Sequence, residues 1–429
     1  MTHGDDAQRA QEKFPEGRAE FPPQYEGFPV AEPPVDFGFD TWQFRQDGRM
    51  FATDEEREIA EAKLDAYAER MFPIWMEAGA NWASGSYDLR WLERDDQFWG
   101  QREVEISKRG LTLFDINKAL NAPVPDRSDK VGQTLRGAEI TQPMLGTFRH
   151  QFLKSKAHVW ADSAVPLYEE AVARQWSATR DIPWETIKDD TRKLPFSINK
   201  ASGMLATFLA QLELDAGVGA AEVIPYIGHD YHETIMFHLT QGMDEARHLE
   251  VFKKRATVAG GLTGNFTNAD WASFIILNAP SMEWINFTLQ GAGEGLILSL
   301  FRMGEYISPT EGDKEIYRRC MQDEARHVSF GQMRLRTFMQ YVEDKDSAVK
   351  ELELAARLID TLFFTLFTDP SLVEPIAVLA GGGVEKIDDG MTWLKEGLYP
   401  VVREEYLARC ESMGIDWRWK TLLPEDAPF

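Results

Sequence analysis

Asp244-Glu245-Ala246-Arg247-His248 reads DEARH, and Asp323-Glu324-Ala325-Arg326-His327 reads DEARH again, 79 residues later. Each copy contains Glu-x-x-His. Residues three apart share one face of a helix, so each copy aims a carboxylate and an imidazole at the same point. The doubled phrase therefore predicts two helices that converge on one site.

The turns around the phrase predict the partner helices. An outgoing helix from about 197 to 224 breaks at 225–230, and its return from about 232 to 257 carries Glu245. A second outgoing helix from about 282 to 306 breaks at Ser308-Pro309-Thr310-Glu311-Gly312, and its return to about Tyr341 carries Glu324. At equal depth on the antiparallel partners stand Glu213 and Glu294. Glu213 and Glu245 are 32 residues apart and Glu294 and Glu324 are 30 apart, although the turns are placed without reference to either pair. Glu222 and Glu305 lie too close to the turns, and Asp215 points away from Glu213.

The six candidate ligands are Glu213, Glu245, His248, Glu294, Glu324 and His327. Oxygen-rich ligation with two imidazoles suits iron or manganese better than copper or a closed zinc site. Four buried carboxylates need neutralising, and two divalent ions carry the matching charge.

The rest of the chain reads as all-α. Pro15, Pro22, Pro23, Pro29, Pro33 and Pro34 disfavour a helix over residues 1–50, while Phe14, Phe21, Tyr25, Phe28, Phe37, Phe39 and Trp42 predict an extended arm. Such an arm would lie on the bundle or on the other subunit of a homodimer. A single helical domain is expected over 51–429, with its metal-binding core at about 197–341. Thr53-Asp54-Glu55-Glu56 is a capping box. The helix after it is expected to end or kink at Pro73. Helical stretches follow at about 87–119, 144–178, 347–367 and 390–412.

Composition narrows the function. The formal charge is −24, with 46 Lys+Arg against 70 Asp+Glu, which disfavours nucleic acid or an anionic membrane surface. Cys320 and Cys410 are the two cysteines, too few for a disulfide framework or an iron–sulfur module. The N-terminal stretch lacks a basic segment followed by an apolar one, and no apolar run approaches a membrane span. A soluble cytoplasmic protein is expected.

Over about residues 197–341 the doubled D-E-x-R-H phrase resembles the ferritin-like di-iron carboxylate superfamily, in its oxygen-activating branch. That branch includes bacterial multicomponent monooxygenase hydroxylases, arylamine N-oxygenases and ribonucleotide reductase small subunits. The resemblance implies a ferritin-like four-helix bundle with additional N- and C-terminal helices, and two iron ions with O2 as co-substrate. It implies Glu245 and Glu324 as bridging ligands, with Glu213 and Glu294 as further carboxylates. Asp244 and Asp323 would accept from the imidazole of the opposite motif, beside Arg247 and Arg326. Phe252 stands where reductase small subunits carry a radical tyrosine, and Cys320 where arylamine N-oxygenases carry an extra histidine.

The activity so implied is that of a di-iron oxygenase, a hydroxylase or N-oxygenase, acting on an apolar or aromatic organic substrate. A ferredoxin or flavoprotein reductase would supply its electrons. A radical-generating or ligand-binding oxidase with a manganese–iron centre and a non-catalytic iron-storage protein are the alternatives. Three residues near the ligands carry two readings each. Gly291, with Gly293 and Gly295, opens a pocket or permits close helix contact. His238 meets substrate or a water chain, or fills the core. Cys320 lines the site or simply packs.

Overall fold

The computed structural model describes residues 53–93, most of 103–120, 156–224, 227, 231–262 and 266–427. The arm expected over 1–50 lies outside them, as do His229 and most of the turn at 225–230. The first long helix, α1 (Asp54–Ala83), starts at the expected cap, where Thr53 Oγ1 accepts from the Glu56 amide at 3.1 Å. It passes through Pro73, where an end or a kink was expected, without ending there. Pro73 is exposed, so the carbonyl it deprives faces solvent, while Met71 and Trp75 on either side are buried.

Two expected helices are broken into shorter pieces. Between 87 and 119 the described helical residues are Arg90–Glu93 and Leu113–Ala119, with 103–106 non-helical. Within 144–178 they are Lys156–Val159 and Ala164–Ala173 (α2). Trp184–Thr191 (α3) then leads into the core.

Four helices form that core. Phe196–Glu222 (α4) packs along His232–Val258 (α5). Thr267–Leu277 (α6), absent from the sequence reading, bridges to the second pair. Met282–Ile285, a π-helical run Asn286–Gly293 and Glu294–Ile307 follow one another as α7, which packs along Glu311–Tyr341 (α8). The two hairpins meet through α5 and α8, the helices that carry the repeated phrase. Gly217 sits one turn beyond Glu213, and a Cβ there would lie 3.2 Å from Glu245 Cβ, so its missing side chain lets α5 approach.

Lys345–Thr368 (α9), Pro370–Gly381 (α10) and Tyr399–Ser412 (α11) wrap this core, with α1 against α9 and α10 against α4. The sequence reading missed α10. Trp75 of α1 meets Phe364 edge-on at 5.0 Å between centroids. Two buried carboxylates tie the outer segments down. Glu374 accepts from Trp82 Nε1 at 3.2 Å, Trp91 Nε1 at 3.0 Å and the Asp88 amide at 2.6 Å. Asp360 accepts from Trp417 Nε1 at 3.2 Å and the Leu422 amide at 2.7 Å. Burial pushes Glu374 up to about 8 and Asp360 up to about 6. Among the described residues there is no β-strand, and no single helix is long and apolar enough to cross a membrane.

The glycines around Glu294 serve packing rather than a pocket. A Cβ on Gly291 would lie 2.5 Å from Met413 Sδ, one on Gly295 2.3 Å from Arg409 Nε, and one on Gly293 2.6 Å from the Thr288 carbonyl oxygen. Gly293→Ala is therefore expected to destabilise the fold by about 1–3 kcal/mol, since backbone within the π turn must move. A melting temperature equal to that of the parent chain would show that the turn has room.

Candidate metal centre

All six candidate ligands are buried and converge where α4, α5, α7 and α8 face one another. Glu213, Glu245, His248 and Glu324 form one group, and Glu245, Glu294, Glu324 and His327 another, with the potential ligand atoms of each group within 4.8 Å of one another. Glu245 and Glu324 belong to both. Glu245 places Oε2 3.3 Å from His248 Nδ1 and Oε1 3.2 Å from His327 Nδ1. Glu324 does the same with Oε1 at 2.9 Å from His248 Nδ1 and Oε2 at 3.3 Å from His327 Nδ1. Each of these carboxylates divides its oxygens between two imidazoles, while Glu213 stands on the His248 side and Glu294 on the His327 side.

The opposite ring nitrogens find the expected aspartates. His248 Nε2 lies 3.2 Å from Asp323 Oδ2, and His327 Nε2 lies 3.2 Å from Asp244 Oδ2. Each motif thus orients the imidazole of the other. An Nε2–H donated to aspartate leaves Nδ1 as a lone pair turned into the cluster. Arg247 Nη2 reaches Asp323 Oδ2 at 3.1 Å and also pairs with Asp244; Arg326 Nη2 reaches Asp244 Oδ2 at 2.8 Å and Asp323 Oδ1 at 2.5 Å. Two guanidinium groups and two carboxylates make a buried, crossed quartet.

The cluster fits cations. Glu213 Oε1, both oxygens of Glu245, Glu294 Oε2, Glu324 Oε1 and His248 Nδ1 are buried without a hydrogen-bond partner. Buried polar atoms left in that condition are costly, and so many in one place make a site for ions of opposite charge. Burial pushes the Glu213 and Glu294 carboxyls well above the usual range. Against burial, His248 is raised by Cys320 and Asp323, and His327 by Glu245 and Glu294. Without a cation, protons must carry the compensating positive charge, so metal binding would release them.

Trp176, between α2 and α3, escaped the sequence reading as a site residue. Its Nε1 donates to Asp323 Oδ2 at 2.7 Å and its ring stacks 6.5 Å from His248. Its signal in the sequence was slight, because it precedes the four-helix core and belongs to neither motif. Gln241 was also missed. It stands one turn before Glu245, hence on the same face, and donates to Glu294 Oε1 at 2.5 Å. Cys320 is buried beside His248, with its thiol pushed up to about 12 by burial. It belongs to neither ligand group. Phe252 packs 5.3 Å from Phe301, whose ring stands 6.1 Å from His248.

His238 is buried with both ring nitrogens unpartnered, so it is no satisfied core histidine, and burial pushes it down to about 3. Gly291 touches Met413 instead of lining a pocket.

No family model and no curated protein matches the chain. Among solved structures, similarity extends to an R2-like ligand-binding oxidase with aerobically reconstituted Mn/Fe cofactor. The identity is 19%, over 59% of this chain and 92% of that one, at a TM-score of 0.42. A variant of such an oxidase with aerobically reconstituted Fe/Fe cofactor gives 19% identity, 59% and 93% coverage and a TM-score of 0.42. These are likenesses of low degree, and the site stands on its own side chains.

Proposed function

We propose that the chain is an O2-activating oxidoreductase built on a dinuclear carboxylate centre, either Mn/Fe or Fe/Fe. The observation that carries this reading is the division of the Glu245 and Glu324 oxygens between His248 and His327, an arrangement that would let both carboxylates serve two ions. His248 and Glu213 would complete one metal, His327 and Glu294 the other. When bound, the pair of ions supplies the binding and reduction of O2.

The chain's own residues fix the ligand geometry. Asp323 and Asp244 hold the imidazole tautomers, and the two arginines hold the aspartates. Phe237, Phe252, Phe301 and Phe330 keep water from the surroundings of the ligands, since all four are buried. An oxidase acting on a bound organic ligand is the form we adopt. Oxygen insertion into an apolar or aromatic substrate, the monooxygenase form, is its extension. With two cysteines in the chain, the two electrons of each turnover would come from a separate ferredoxin or flavoprotein reductase. We place this activity in the cytoplasm.

The test is anaerobic loading with Fe(II), or with Mn(II) plus Fe(II), followed by O2. Consumption of O2 in proportion to loaded centres, with a change in the optical or electron paramagnetic resonance spectrum, is expected. A protein holding two metals per chain and consuming O2 no faster than the buffer would overturn the reading. Uptake of many irons per chain would mark a storage protein instead.

A further inference from the structure

The two copies of the repeated phrase differ one turn upstream. Gln241 precedes Glu245, and Cys320 precedes Glu324, by the same four residues. Both side chains therefore share the ligand-bearing face of their helices. Each reaches across toward the other half of the cluster. Gln241 Nε2, from α5, donates to Glu294 Oε1 on α7 at 2.5 Å. Cys320, from α8, pairs with His248 of α5 and lies near Glu213 of α4. An amide nitrogen is a full hydrogen-bond donor and a thiol a weak one. The halves match in their ligands and differ at this position.

The amide is itself held in place. Gln290 Nε2 donates to Gln241 Oε1 at 2.7 Å, and Asn286 Nδ2 donates to Gln290 Oε1 at 2.5 Å. All three side chains are buried. The direction of the line follows from its end, since a carboxylate that ligates an ion only accepts. Gln241 must turn its amide nitrogen to Glu294 and its carbonyl to Gln290, and Gln290 repeats the choice toward Asn286. Helix α8 packs directly on this line, because a Cβ on Gly331 would lie 2.6 Å from Gln290 Cβ. Glu294 Oε2 is left buried without a partner. Glu213 stands otherwise. Its Oε2 lies 3.4 Å from His248 Nδ1, its Oε1 has no partner, and among the described residues no side-chain amide donates to it.

We propose that Gln241 is a positioning residue that makes the two ion positions inequivalent. Through it the Asn286–Gln290–Gln241 line fixes the Glu294 carboxylate for the ion beside His327, while Glu213 stays free to adjust to the ion beside His248. The inference rests on the dinuclear reading above and deepens it. A ligand held in place beforehand loses less freedom on binding, so the Glu294 side takes its ion more tightly. The amide also occupies part of Oε1, so Glu294 offers that ion one free oxygen where Glu213 offers two. The chain then loads its ions in order, the position beside His327 first.

Two variants of the full chain test the assignment. Gln241→Met removes the donor at nearly constant length and volume. Gln290→Met keeps the donor and removes its support. Mn(II) is titrated anaerobically into each metal-free protein by calorimetry, and electron paramagnetic resonance spectra are taken at two equivalents. The parent is expected to bind two ions of different affinity and to show a coupled pair. In Gln241→Met the tighter ion is expected to weaken by about 10–100-fold, the usual cost of losing an outer hydrogen bond to a ligand. The weaker ion should keep its affinity, and a signal from isolated Mn(II) should appear beside that of the pair. Gln290→Met should lose less, at the same ion. Equal weakening of both ions, or an unchanged titration and spectrum in Gln241→Met, would overturn the assignment. If Gln241→Met fails to fold, Gln290→Met decides alone: a selective loss supports the assignment and an unchanged titration overturns it. A parent chain that takes up no Mn(II) overturns the dinuclear reading and this proposal with it, which separates that failure from the others.

Discussion

Replacing Glu245 with alanine is expected to abolish stoichiometric metal binding without unfolding the helices. Its two oxygens stand 3.3 and 3.2 Å from the two imidazole nitrogens, so no other substitution except at Glu324 touches both halves of the cluster at once. The metal-free variant should also lose some stability, because Glu245 faces both imidazoles and its removal leaves them with fewer buried partners. The parent chain should melt higher on metal addition, by about 4 kcal/mol of stability at a thousand times the dissociation constant. The variant should show no such rise. Metal analysis after gel filtration, beside calorimetry with and without metal, reads both effects. A variant that still bound two ions per chain would show that Glu245 bridges nothing.

Asp323→Ala is the second large effect, and it acts on the fold as well as the site. Asp323 accepts from Trp176 at 2.7 Å, Arg247 at 3.1 Å and Arg326 at 2.5 Å, and lies 3.2 Å from His248 Nε2. Removing it leaves two buried guanidinium groups sharing Asp244 alone. Breaking a buried ion pair by deleting one partner costs about 3–5 kcal/mol, because the other charge stays behind. Losing the acceptor that orients a ligating imidazole lowers metal affinity by about 10–100-fold as well. Asp323→Asn keeps the shape and one acceptor, and should fall between the two. Chemical denaturation measures the first effect and metal titration the second. A loss below about 1 kcal/mol in the alanine variant would mean that the quartet contributes little.

The convergence of the six candidate ligands was legible because a shared site imposes strict spacing on the sequence. Glu-x-x-His repeats at one helical turn, and antiparallel hairpins put Glu213 and Glu294 at the same depth as Glu245 and Glu324. The crossed aspartates were implied by the family resemblance and not by spacing, although each adjoins a candidate ligand on its own helix. The helix bounds of the two hairpins came within two residues where they are described. The groups that escaped are held by tertiary contacts that leave no period in the sequence. Trp176 reaches His248 from a connection outside the bundle, and α6 and α10 are buried on so many sides that an amphipathic pattern is lost. At Pro73 the helix continues, on a turn whose exposed side lets water take the carbonyl left without an amide. The glycines near Glu294 looked equally suited to a cavity or to close packing. Met413, Arg409 and the Thr288 carbonyl decide for packing.

The π-helical run adds one feature that spacing alone concealed. Its amide hydrogen bonds skip five residues, the last of them from the Glu294 amide to the Leu289 carbonyl. A single inserted residue of this kind rotates everything before it relative to Glu294. Asn286, Gln290 and Gln241 form one hydrogen-bonded line that ends on Glu294.

Crystallographic anomalous scattering at the iron and manganese edges, on protein loaded anaerobically, tests the central claim most directly. Two peaks are expected between Glu245 and Glu324, one beside His248 and Glu213 and the other beside His327 and Glu294. A loaded crystal with no peak among these six side chains, or with one ion held by surface carboxylates, would contradict the dinuclear centre.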